Sequence, residues 1–387
     1  MNNTIQKMAT RNFKIRIFQP LVRAYRIALH DGLAVRYGNR IELWAADVPG
    51  ASVPLKRMRY DYNHQMLRFG PFAWQRGLNL KGLSKGDVVV VSGDVHQLSS
   101  LLIAIVARLK GIGVVWWGLH KMPNQNKFFL AVRKRVMIRL ATTILFYNKS
   151  GIEWLKSEGC DISHVFATGN TIDQASIKAA IAEWTDERLA EFQQKEGLIG
   201  HRIILTCSRI IEKQRLHEAI EALSKKPLAR EDTLLVVIGD GPLKDDCQKL
   251  AERLGVSSRI RWLGAIFDER DMAPWFLSAK VFTYPGPVGL AILKALSYGL
   301  PAVLNDTHNS TEAEIMENGK TGLLFKEHDT EDLARTLDEL MSDEGRRGKM
   351  CEYSRKVAFE NYSMDMMINN FSAAIEDAAS QVKGATE

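Results

Sequence analysis

Residues 280–304 read Lys-Val-Phe-Thr-Tyr-Pro-Gly-Pro-Val-Gly-Leu-Ala-Ile-Leu-Lys-Ala-Leu-Ser-Tyr-Gly-Leu-Pro-Ala-Val-Leu, and their order decides the fold. Val281 to Tyr284 suit a buried strand. The cluster Pro285-Gly286-Pro287-Val288-Gly289 breaks that strand and lets backbone N–H groups come close to a ligand. A helix is predicted from there to Tyr298, where Gly299 caps it in a left-handed conformation and Pro301 keeps it from continuing into the apolar run that opens at Ala302. Strand, turn, helix, strand is the repeating unit of a parallel α/β sheet. A glycine-lined turn at a strand's carboxyl end suits a phosphate or a sugar hydroxyl. The same residues also suit an ordinary strand–loop–helix packing unit.

Outward from this stretch the alternation extends in both directions. Residues 87–91, Asp-Val-Val-Val-Val, form a continuous apolar run ended by Ser92-Gly93-Asp94, as expected of a parallel strand covered on both faces. A helix over 98–110 and a strand over 113–117 follow. Gly118-Leu119-His120-Lys121 lies just past that strand's carboxyl end, where open α/β sheets carry their ligands, so His120 and Lys121 become candidates for substrate contact. Residues 16–36 read as helix-like, interrupted at Asp31-Gly32. Further strands are predicted at 142–147, 202–207, 234–238, 260–263 and 322–325, and the chain closes on three helices. The composition change near Glu196-Gly-Leu-Ile-Gly200 places a linker at 186–200. It divides an N-terminal domain, 1–185, from a C-terminal domain, 201–362, followed by a terminal helix over 363–387.

A chain of 387 residues, 46% hydrophobic and 25% charged, fits two globular domains. Four scattered cysteines give no Cys-x-x-Cys pair, which speaks against both a disulfide framework and a zinc site. The opening residues lack the apolar core of a signal peptide, and no apolar run is long enough to span a bilayer; a cytoplasmic protein is expected. The net charge of +7 hides an asymmetry. Residues 1–150 hold 24 Lys and Arg against 6 Asp and Glu, the remainder 28 against 39, and residues 101–150 contain no acid. Such a half points to a polyanionic partner.

Within that half, Phe128, Phe129, Val132, Val136, Leu140 and Ile144 fall at roughly helical spacing, and Lys127, Arg133, Lys134, Arg135 and Arg139 supply a basic face. Helices of this kind lie on anionic lipid headgroups, which would hold the protein at the inner face of the plasma membrane. The alternative is that the apolar face packs on the sheet and the charges are only solvated.

Ser208-Arg209-Ile210, Lys213-Gln214-Arg215, Gly239-Asp240-Gly241-Pro242, Gly286-Pro287-Val288-Gly289-Leu290 and Asn318-Gly319-Lys320-Thr321-Gly322-Leu323 occur in this order. In that order and spacing the chain resembles the retaining, nucleotide-sugar-dependent glycosyltransferases of the glycogen-synthase-like and bacterial polysaccharide family, glycosyl transferases group 1. The resemblance is dense over 203–340 and thin before it. It implies a GT-B fold, two Rossmann-like doubly wound domains facing an interdomain cleft. It also implies a nucleotide-sugar donor on the C-terminal domain and a saccharide acceptor, expected to be lipid-linked, on the N-terminal one. Three positions depart from the family's pattern. Gly286 and Lys294 occupy the positions of the family's two glutamates, and Gln214 that of its phosphate-binding lysine.

The resemblance implies transfer with retained configuration, in which cations and a helix N-terminus, instead of a metal or cofactor, stabilise the leaving diphosphate. Arg209, Arg215 and His120 are the catalytic candidates. Lys213, Gln214, Gly241, Ile266, Gly286, Pro287, Val288, Gly289, Leu290 and Lys294 would line the donor, with Lys294 expected to lean toward the diphosphate. A nucleic-acid partner is not expected, since no recognised module accompanies the charge. A non-catalytic saccharide-binding or scaffold protein and a sugar-nucleotide epimerase are the alternatives.

Overall fold

The computed structural model of the chain describes residues 13–46, 55–120, 126–307 and 311–384. The fold divides into two compact units, Met1–Asn170 with Met364–Glu387, and Thr171–Ser363.

In the first unit, a parallel sheet is built from β1 (Ile15–Gln19), β2 (Ile41–Ala46), β3 (Arg59–His64), β6 (Val88–Ser92), β7 (Gly113–Gly118), β8 (Thr143–Phe146) and β9 (Val165–Ala167), while β4 (Met66–Phe69) and β5 (Phe72–Gln75) form a separate hairpin. The strand order is β3-β2-β1-β6-β7-β8-β9. The helices are α1 (Ile27–Tyr37), α2 (Leu98–Leu109), α3 (Lys127–Leu140) and α4 (Ser150–Ser157). One face of the sheet packs Leu29 and Leu33 together with Phe371, Ile375 and Ala378 of the terminal helix Met364–Gly384; the other packs Ile103, Trp116, Met137 and Phe146. Burying both faces is what the run of valines in β6 requires.

The sequence places a broken helix over 16–36, and the structure corrects it. A strand comes first, and α1 runs unbroken through Asp31 and Gly32. The strand is hidden by Arg16, a charged residue that is only 5% exposed in the middle of a sheet. Its guanidinium is satisfied by Glu42 at 2.7 Å and by the carbonyls of Asn79 and Lys81 at 2.9 and 3.0 Å, and it stacks over Trp44. Gly32 serves packing: a Cβ there would lie 2.2 Å from Ile368 of the terminal helix.

In the second unit the sheet is again parallel, made of β10 (Arg202–Cys207), β11 (Thr233–Ile238), β12 (Ile260–Gly264), β13 (Val281–Tyr284), β14 (Ala302–Asn305) and β15 (Gly322–Phe325), in the order β12-β11-β10-β13-β14-β15. Its helices are α5 (Ala175–Glu183), α6 (Asp186–Lys195), α7 (Leu216–Leu223), α8 (Lys244–Arg253), α9 (Glu269–Ser278), α10 (Ala291–Ser297), α11 (Thr330–Ser342) and α12 (Glu344–Lys356). Helix α11 shows why these segments are helical. Asp329 accepts from the Asp332 N–H at its start, and Leu333, Ala334, Leu337, Leu340 and Met341 recur on one buried face.

The expected linker at 186–200 is not one. Ile177, Ala180 and Leu198 belong to the core of the second unit, and Phe192 of α6 packs edge-on against Trp275. The units part at 170/171, fifteen residues before the sequence places the end of the first domain. The charged composition of α6 that looks like a linker is the solvent face of a helix whose other side is anchored.

Candidate active site

Both sheets change winding direction in the middle, between β1 and β6 and between β10 and β13, and crevices at such points lie beyond the carboxyl ends of the strands. In the second unit this edge is formed by residues 208–215 after β10, 239–242 after β11 and 285–290 after β13. Backbone contact holds them together. The Ser208 and Ile210 N–H groups donate to the carbonyls of Ile238 and Asp240 at 3.0 and 2.9 Å, and the Gly286 N–H donates to the Gln214 carbonyl at 3.2 Å. Three glycines make the approach possible. A Cβ would lie 1.8 Å from the Ser208 oxygen at Gly239, 2.1 Å from the Ile210 oxygen at Gly241, and 2.1 Å from the Lys213 oxygen at Gly286. The buried Asn305 side chain ties down the carbonyls of Pro285 and Gly286 at 2.7 and 3.1 Å.

Gly286 is thus fixed by the loop it packs against. A glutamate there, as in the resembling family, would drive its Cβ into the backbone after β10. Gly289 has open space around it, Val288 is buried, and Leu290 opens the short helix α10. Below the turn a cavity of about 10 Å³ is lined by Gly286, Val288, Asn305 and Thr307, room for about one water.

The cations separate into two kinds. Arg209 and Lys213 are exposed, and neither side chain makes a hydrogen bond or ion pair among the described residues. Arg215 is committed. It stands in the left-handed region at φ 55°, ahead of α7, with its guanidinium 2.7 Å from Glu327. That hydrogen bond holds the Glu327 carboxyl below the usual range. Lys213, Arg215 and Pro287 line a pocket of about 250 Å³ together with Glu212, His217, Glu218 and His328. His328, also at positive φ, meets the buried Glu218 at 2.8 Å. Sequence reading misses Glu218, Glu327 and His328. They come from segments about a hundred residues apart, and no local signal joins them.

Lys294, expected from the sequence to lean toward the diphosphate, is held by a carboxylate. Its ammonium sits 2.7 Å from Glu269 of α9, whose other oxygen accepts the Tyr298 hydroxyl at 2.8 Å. Burial pushes the neighbouring Cys207 thiol up to about 11, with Lys294 opposing and Glu269 reinforcing the shift. Both oxygens of the Glu269 carboxylate are thus engaged, one by Lys294 and one by Tyr298. Gln214 is half-buried and its Oε1 has no partner among the described residues; Ile266 packs at the border of the core.

In the first unit His120 follows β7, its ring 6.1 Å from that of Phe146 and 5.8 Å from that of Trp154. Lys121 and the side chain of Lys127 lie outside the described residues. Helix α3 forms over Lys127–Leu140, while Ile144, read on its face, lies in β8; the helix is capped by Asn126 accepting from the Phe128 N–H and leaves Phe128, Phe129, Val132 and Ile138 exposed. Arg135 and Arg139 are exposed, and Lys134 pairs with Glu158. Arg133 is a correction. It is 1% exposed and donates to the Gly93 and Leu119 carbonyls, both at 2.6 Å, so it cannot face a membrane. One helical turn from Met137, it shares the inward face.

Residues 189–357 match the family described as glycosyl transferases group 1. The chain is 27% identical over 172 residues to the lipopolysaccharide core biosynthesis glycosyltransferase LpsE of Rhizobium meliloti (strain 1021), covering 44% of this chain and 48% of the relative. It is 26% identical over 184 residues to the alpha-D-kanosaminyltransferase of Streptomyces kanamyceticus, covering 46% and 47%. The chain thus spans about half the length of these curated relatives. Among solved structures, Anabaena HepE in complex with UDP superposes with a TM-score of 0.70 at 15% identity over 94% of this chain and 99% of that one. A glycosyltransferase from Rickettsia africae ESF-5 gives 0.72 at 14% identity over 95% and 99%. At such identities these two likenesses speak to the fold. With the matched residues spanning the sheet edge that Gly239, Gly241 and Gly286 build, the chain carries a glycosyl transferases group 1 domain over 189–357 and has the GT-B fold.

Proposed function

We propose that this chain is a glycosyltransferase that moves a sugar from a nucleotide-sugar donor to a saccharide acceptor with retention of configuration. The observation that carries the reading is the pair of uncommitted cations, Arg209 and Lys213, on a loop packed backbone to backbone against the glycine turn at the switch point of the second unit. As the glycosidic bond to the donor breaks, charge gathers on the diphosphate, and preorganised cations act most strongly on that state. Arg209 presents two N–H groups in a plane that matches two phosphate oxygens; Lys213 adds a point charge. These side chains supply the stabilisation with no metal required. The acceptor hydroxyl's proton passes to the departing diphosphate on the same face of the sugar, so no protein nucleophile is needed.

HepE has been solved with UDP and with UDP-glucose, which supports a nucleotide sugar as the donor class. The acceptor class we assign is a lipid-linked saccharide of cell-surface polysaccharide, presented at the inner face of the plasma membrane. The lipopolysaccharide-core relative, the basic first 150 residues and the exposed apolar and basic surface of α3 support it. Among the described residues no helix is long and apolar enough to cross a membrane, so attachment would be peripheral. The competing reading, a non-catalytic saccharide-binding or scaffold protein, draws on Gly286 and Lys294. Incubation with a panel of nucleotide sugars and bacterial membranes separates the two. Acceptor-dependent release of nucleoside diphosphate is expected; binding without release from any donor would favour the scaffold.

A further inference from the structure

At the carboxyl edge of the first unit's sheet, two arginines reach over the strand ends from opposite faces. Arg26, just ahead of α1, is 6% exposed, and Arg133 of α3 is 1% exposed. The Arg26 guanidinium lies 4.3 Å from the ring centre of Trp117 and 4.8 Å from that of Tyr147, and its Nε reaches the Tyr25 hydroxyl at 3.4 Å. Arg133 spends one nitrogen on the Gly93 and Leu119 carbonyls at the ends of β6 and β7. Burial lowers its pKa, with Asp94 and the same Tyr147 opposing.

What remains is a set of unanswered donors. Arg26 Nη1, Arg133 Nε and Nη1, and the Trp117 indole nitrogen are all buried and have no hydrogen-bond partner among the described residues. Neither guanidinium makes an ion pair there. Asp94, the acidic group nearest in influence, is bonded to His96 at 2.9 Å and is 34% exposed. The one titratable base against Arg26, His30, is buried and neutral at ordinary pH. Stacking on aromatic rings accounts for the plane of Arg26 but satisfies none of these N–H groups, and Arg133 has no ring beneath it. Desolvated cations of this kind persist when an anion completes them.

We propose that this edge is an oxyanion site, in which Arg26, Arg133 and the Trp117 indole N–H bind a phosphate ester carried by the acceptor. The four unpartnered donors, near the ends of β6, β7 and β8, are enough to serve the three terminal oxygens of a phosphate and more than the two of a carboxylate need. Tyr147 and His120, just past the ends of β8 and β7, are both partly exposed. Two sources share this chemistry, a soluble sugar phosphate and a phosphate on lipid. The site rests on the reading of the first unit as the acceptor side of a glycosyltransferase, and it tells that reading which acceptors to try.

The test is a calorimetric titration of the full chain with inorganic phosphate and with glucose 1-phosphate, UDP being present in excess to fill any diphosphate site on the second unit; a parallel arm uses vesicles containing phosphatidic acid. Binding in either arm, weakened about tenfold or more by Arg26→Gln while UDP affinity is unchanged, is the expected result. Vesicle binding alone that depends on Arg26 assigns the phosphate to lipid. Should Arg26→Gln fail to fold, Trp117→Phe keeps the ring and removes only the indole N–H, and weaker phosphate binding is again expected. No phosphate binding by the wild type in either arm, or equal binding by the foldable variant, overturns the site. If UDP does not bind at all, the donor reading fails instead, and the same titration without nucleotide still decides the role of Arg26.

Discussion

The two sheets of this protein wind alike and present positive charge at their carboxyl edges in opposite ways. In the second unit Arg209 and Lys213 stand exposed on a loop whose path is set by Gly239, Gly241 and Gly286. In the first, Arg26 and Arg133 are drawn beneath the surface among aromatic rings and carbonyl oxygens. An exposed cation costs little to keep, and one carried on a loop fixed by close backbone packing is in place before charge develops on a leaving group. A buried one is costly to desolvate and holds a ligand in one place. Cleavage chemistry on one edge and recognition on the other is the division that this contrast predicts.

The sharpest way to break the comparison is at the backbone device. Gly286→Glu, which reinstates the residue of the resembling family, puts a Cβ 2.1 Å from the Lys213 oxygen. Stability should fall by about 3 kcal/mol, read as a lower denaturation midpoint, with no gain in turnover even when combined with Lys294→Glu. An unshifted midpoint would show that the loop after β10 is held by something other than close packing.

On the other unit the contrast lies within one helix. Arg133→Gln removes charged hydrogen bonds from a buried site and should cost about 2 kcal/mol or more in denaturant unfolding. Arg135→Gln with Arg139→Gln should leave stability within about 0.5 kcal/mol and instead weaken binding to anionic vesicles, by about 1 kcal/mol per charge. Equal destabilisation by both sets would erase the distinction between buried and surface cations.

An effect confined to acid pH follows from the cation beside His30. Burial, and then the Arg26 charge, lowers the His30 pKa to about 3. Below about pH 6.5 the unfolded chain takes up this proton and the folded chain does not. Stability is therefore full above that pH and falls as the pH drops toward 3, by about 1.4 kcal/mol per unit from this one group. His30→Leu should flatten that part of the stability profile. An unchanged slope would mean that the folded protein accommodates a charged imidazole next to Arg26.

What was legible in the sequence follows the same contrast. Strands β11, β13, β14 and β15 fall within a residue of their expected bounds, because parallel strands buried on both faces are near-continuous apolar runs. The glycine turns were legible because close backbone approach demands glycine. Strand β1 was not, since Arg16 finds its partners 26, 63 and 65 residues away. Arg133 looked like its neighbours Lys134 and Arg135 until the helix turned it inward, although its spacing to Met137 marked the buried face. The pairing of Arg215 with Glu327, and of Lys294 with Glu269, depends on how distant segments meet, which no local pattern records.

Arg209 tests the account most directly. With a nucleotide sugar that the wild type accepts, release of nucleoside diphosphate is followed in the presence of acceptor for the wild type and for Arg209→Ala, and thermal denaturation is recorded for both. Because Arg209 is exposed and has no partner among the described residues, its loss should leave the denaturation curve in place. Loss of its contact to the developing diphosphate charge should lower kcat/KM by about two orders of magnitude, or about 3 kcal/mol. A variant that melts with the wild type and keeps the wild-type kcat/KM would contradict the assignment of the cleavage site to this edge.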